Sequence, residues 1–74
     1  MKSATIQKLL QEGRDTITFM HIMVNEHRQL KREADESGDL ETEYRAHNLL
    51  KYYRKQIAQR VVIQKELKKL LKNA

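Results

Sequence analysis

Apolar residues recur along this chain at alternating intervals of three and four. In the first half the series runs Ile6, Leu10, Ile17, Met20, Val24, His27 and Ala34, and Leu9, Thr16, Met23 and Leu30 widen it along one edge. In the second half Leu49, Leu50, Tyr53, Ile57, Val61, Leu67 and Leu71 form the matching stripe, broadened by Tyr52, Ile63 and Leu70. A repeat near 3.6 residues is that of an α-helix with one buried face. A stripe this wide belongs to a bundle helix rather than to a narrow two-stranded seam. The pattern predicts two long helices, over about 3–36 and 40–73.

Between them lies Glu36-Ser37-Gly38-Asp39. Gly38 can take the left-handed conformation that ends a helix, and Asp39 can accept a hydrogen bond from the free amides of the next one. If the chain reverses here, facing residues have numbers that sum to about 77. On that register Leu30 meets His47, His27 meets Leu50, Val24 meets Tyr53, Met20 meets Ile57, Leu10 meets Leu67 and Ile6 meets Leu71. Apolar positions fall opposite apolar positions along most of both arms. The expected fold is all-α, an antiparallel two-helix hairpin forming a single domain over residues 1–74.

Three details qualify that outline. Ser3 is the expected N-cap of the first helix. Gly13 lies within the first stripe, where a break would create a third helix. Continuity is expected, at about 1 kcal/mol relative to alanine, because the register holds on both sides of the glycine. The layer of Gly13, Ile17, Arg60 and Gln64 is the polar gap in an otherwise apolar interior, and polar core positions can fix register at some cost in stability. The stretch from Ala34 to Glu41 resembles the turn of many helical-hairpin repeats, but it has no second copy.

Composition narrows the picture further. Proline is absent, glycine occurs twice, and 34% of the residues are charged, which disfavours turn-rich sheet folds. Cysteine is also absent, so neither disulfides nor thiolate metal sites can staple the chain. The longest apolar-biased run, Ile17 to Val24, is interrupted by Thr18 and His21 and is too short to span a bilayer. No secretory leader is recognisable. These features point to a cytoplasmic protein with no membrane partner.

Two helices cover only one side of each other, and the stripes here are wider than that. Pairing into a four-helix-bundle homodimer is therefore expected. Phe19 and Ile22 fall outside the stripe and, with Met23, form a candidate apolar patch for a protein partner. Charge is distributed unevenly. Residues 1–38 hold six basic and six acidic groups, whereas residues 39–74 hold nine and four and supply the whole net charge of +5. Lys51, Arg54, Lys65, Lys68, Lys69 and Lys72 share one side of the second helix, a candidate basic face for nucleic acid. Beside it, Tyr52 could stack on a base, while Tyr53 is claimed by the core.

Chemistry finds less support. His21, Glu26, His27, Glu43 and His47 are the candidate metal ligands, but no Glu-x-x-His pair recurs on both helices and no His-Glu-x-x-His occurs. A boundary histidine bonded to a carboxylate or a backbone carbonyl is the expected role instead. There is no nucleophile elbow and no phosphate-cradling glycine loop, and a hairpin this thin has no room for a deep pocket for a small-molecule substrate. No catalytic residue, metal or cofactor is assigned. The sequence reads as a small non-enzymatic regulatory or inhibitory protein that binds another protein through helical surfaces. The alternative is a nucleic-acid-binding hairpin that uses the basic face of its second helix.

Overall fold

A computed structural model describes residues 2–73, in which two helices, α1 (Ser3–Ser37) and α2 (Leu40–Lys72), pack against each other. The hairpin and its all-α class are as the periodicity predicts. α1 runs unbroken through Gly13.

The reversal takes two residues. Gly38 adopts φ 76°, its amide donates to the carbonyl of Asp35 at 3.2 Å, and the Asp39 amide donates to that of Ala34 at 2.9 Å. This nested pair of hydrogen bonds satisfies carbonyls that the helix end would leave bare. Asp39 then starts α2: its carboxylate accepts from the Thr42 amide at 3.2 Å and from the Thr42 hydroxyl at 2.6 Å. Those bonds, the hydroxyl's first, hold the Asp39 carboxyl below the ordinary value. Glu41 and Glu43 in the first turn and Lys69 and Lys72 in the last complement the dipole of α2. The start of α1 differs from expectation. Lys2 occupies the cap position without a side-chain hydrogen bond, and Ser3 is already helical.

Ile6, Leu10, Val24, Ala34, Ala46 and Leu50 are the buried apolar residues among those described. The interior also contains Gly13 and Gln64, half of the polar layer. Gln64 donates from Nε2 to the Leu10 carbonyl at 2.9 Å. A Cβ on Gly13 would lie 2.6 Å from the carboxamide carbon of Gln64, so this glycine leaves the space that the carboxamide fills. Nearer the turn, the rings of His27 and Tyr53 approach to 5.5 Å.

The centre of the second stripe is shifted from the sequence reading. Leu49 and Val61 are 41% and 38% exposed, while Ala46 and Gln64 are the buried residues at those levels. Leu30 is likewise exposed, and Lys31 reaches His47 in its place. The cause is geometric: one neighbouring helix covers only an arc, so the edges of a wide stripe stay wet. The same thinness shows in the dimensions, 54 × 14 × 12 Å, and in a radius of gyration of 16.6 Å. A compact domain of this length would have about 11 Å.

Candidate interaction surfaces

The hairpin has two unlike edges. Leu9, Thr16, Met23 and Leu30 recur every seven residues on one side of the α1 core stripe, and Leu49, Gln56, Ile63 and Leu70 do so on α2. In an antiparallel pair these two rows lie on the same side of the hairpin, and Leu9, Thr16 and Ile63 do line one shared groove. Leu9, Leu30, Leu49, Ile63 and Leu70 are all exposed, with Tyr52 just outside the row. Paired across this edge at a sum of 79, two more than the core register, the rungs read Leu9 with Leu70, Thr16 with Ile63, Met23 with Gln56 and Leu30 with Leu49.

The three residues proposed as an apolar patch sit at the outer border of that row. Phe19 and Ile22 are 56% and 50% exposed, and Met23 is half-buried. Helical spacing puts Phe19 between Met23, on the flank, and Ile22, on the back of α1. The patch is thus continuous with the apolar flank, an extension the sequence reading did not draw because it assigned Leu49 to the interior.

The opposite edge is cationic. Lys51, Arg54, Lys65, Lys68, Lys69 and Lys72 are all exposed and occupy one arc of α2. Lys69 pairs with Glu66 at 3.4 Å; the other ion pair among the described residues, Arg45 with Glu41, also lies within α2. Arg54 converges with Arg28, Lys31 and Arg32 of α1. Charge totals alone conceal that contribution, since residues 1–38 are electrically balanced. The signal is segregation: Arg28, Lys31 and Arg32 lie towards one edge of α1, and Glu12, Glu26 and Glu33 towards the other.

Two of the three histidines have separate partners. His27 Nδ1 lies 2.7 Å from the Met23 carbonyl, which can only accept, so this nitrogen carries the proton. Lys31 Nζ is 3.1 Å from His47 Nδ1; the ammonium donates, which places the His47 proton on Nε2. His21 is exposed on α1. Among the described residues no three potential ligands are gathered for a metal ion, and no helix is long and apolar enough to cross a membrane. Neither a family model, a curated protein nor a solved structure matches the chain.

Proposed function

We propose that this hairpin is a non-enzymatic cytoplasmic protein that acts by binding proteins through its helical surfaces, first a second copy of itself and then a regulatory target. The observation that carries this reading is the exposed apolar row along one flank of both helices. Such a row is costly on a free surface and is the usual mark of a contact face.

Its extent can be compared with what association requires. The chain exposes 5778 Å², whereas a compact monomer of 8.8 kDa would expose about 4,800 Å². The excess, about 1,000 Å², is comparable to the roughly 800 Å² that each partner buries in a standard interface. A second hairpin laid flank to flank gives a four-helix bundle. The terminal rungs, Leu9 with Leu70 and Leu30 with Leu49, have the same composition, so the row suits its own copy turned about a two-fold axis. Phe19 and Ile22, beyond the edge of that contact, remain available for a regulatory or inhibitory target.

A second reading rests on the basic arc of α2, where Lys69 alone of the six cations is ion-paired among the described residues. Neutralisation by nucleic-acid phosphates would suit it. Affinity capture with tagged protein, with and without nuclease, separates the two. A stoichiometric protein that survives nuclease and is lost with Phe19→Ser or Ile22→Ser supports protein docking. Loss of all bound material on nuclease treatment supports the second reading.

A further inference from the structure

The edge opposite the apolar flank carries a groove that neither helix could form alone. Arg28, Lys31 and Arg32 of α1 face His47 and Arg54 of α2 across a space of about 290 Å³. Asp35 and Glu43 also border it, so four cations stand against two carboxylates and the groove is net positive. The carboxylates do not neutralise the arginines: neither Arg28, Arg32 nor Arg54 makes an ion pair among the described residues. Arg28 and Arg32 are one helical turn apart on one face of α1, an arrangement that destabilises a helix by like-charge repulsion. A bound anion would relieve it.

The hydrogen-bonding character of the groove points the same way. Guanidinium groups and an ammonium can only donate. Because Lys31 Nζ donates to His47 Nδ1 at 3.1 Å, the remaining ring nitrogen of His47 is an N–H donor as well. Lys31 is thereby anchored beside the arginines. A ligand matched to these five donors, as distinct from the bordering carboxylates of Asp35 and Glu43, presents acceptors to them, carries negative charge and offers oxygen pairs to planar guanidinium forks. Phosphate has all three properties.

We propose that this groove is a phosphate-binding site, in which Arg28, Arg32 and Arg54 supply paired donors and Lys31 a point charge. The phosphate can be free or part of a nucleic-acid strand. The two sources differ in what else they use: Lys65, Lys68 and Lys72 extend the charge along α2 for a strand, and a free phosphate does not reach them.

The test is a titration of the ¹⁵N-labelled protein with sodium phosphate, against sodium chloride at matched ionic strength. Saturable shifts at Arg28, Lys31, Arg32, His47 and Arg54, seen with phosphate alone, are expected. Arg28→Gln combined with Arg32→Gln should weaken binding by at least about tenfold, with helicity by circular dichroism unchanged because both side chains are exposed. Arg54→Gln, on the other helix, should weaken it too. Shifts that never saturate, that appear equally in chloride, or that persist in the double variant overturn the site. Short single-stranded RNA then identifies the source. If it displaces phosphate and its affinity falls with Lys65→Gln and Lys68→Gln as well as with the arginine changes, the phosphate arrives on a strand. If phosphate saturates the groove and RNA does not compete, it arrives free.

Discussion

Gln64 occupies the space that a side chain at residue 13 would take. Its carboxamide carbon stands 2.6 Å from where a Gly13 Cβ would be, and its Nε2 donates to Leu10 at 2.9 Å. Two effects of similar size therefore oppose each other in Gly13→Ala. Helix propensity favours alanine by about 1 kcal/mol, and displacing Gln64 loses a hydrogen bond of about 1 kcal/mol. The single substitution should change stability by less than about 1 kcal/mol. In a Gln64→Ala background, which removes the three atoms nearest that methyl, the same change should stabilise by about 1 kcal/mol. A double-mutant cycle from urea melts measures the coupling, and strict additivity would mean that the two residues do not share this space.

The apolar flank predicts association. Sedimentation equilibrium at micromolar concentration should give twice the 8.8 kDa of the chain, and the melting temperature should rise with protein concentration. Leu49→Lys, on an exposed rung, should yield monomer and remove that concentration dependence. A wild-type monomer with a concentration-independent melt would exclude the bundle.

Gly38 gives a cleaner case than Gly13, since nothing lies within 4 Å of its missing Cβ and its φ is 76°. Gly38→Ala should cost about 1–2 kcal/mol through backbone strain alone, and Gly38→Asn less, because asparagine tolerates this conformation. Equal stability of all three proteins in a denaturant titration would show that the turn relaxes.

Asp39 links the turn to acidity. Its carboxyl is depressed in the folded chain, chiefly by the Thr42 hydroxyl. Its contribution is therefore fully present above the ordinary value of 3.8 and is lost as pH falls through the lower folded value. Asp39→Ala should lower the melting temperature at neutral pH and leave a smaller acid-dependent loss below the ordinary value. Thermal melts at several pH values check both outcomes; parallel curves for the two proteins would disconnect the cap from stability.

Much of the fold was legible because it depends on local signals. Gly38 and Asp39 act within six residues of one another's partners, and a 3.6-residue repeat announces each helix without tertiary information. The register was legible in outline: Gly13 and Gln64, whose numbers sum to 77, share one layer, although Lys31 and not Leu30 reaches His47. The details that were not legible depend on how widely a single neighbour covers a helix. Ala46 is fully buried and Leu49 is not, although leucine has the greater hydrophobic drive; position around the helix decided, and alanine gave no hydrophobic signal strong enough to claim the centre. The cationic groove is illegible in the sequence for a related reason. Arg28 and Arg54 are 26 positions apart, and only the hairpin brings their charges to one edge.

The two-residue reversal also bears on how quickly the chain finds its structure. Contacts beside the turn, at the level of Ala34 and Ala46, close a short loop, whereas those at Leu10 and Gln64 close a loop of more than fifty residues. Loop-closure entropy rises with length, so pairing should start at Gly38 and zip outward. Stopped-flow kinetics should then show Gly38→Ala slowing folding, while Leu10→Ala mainly accelerates unfolding. The end far from the turn is the last to close and the first to open.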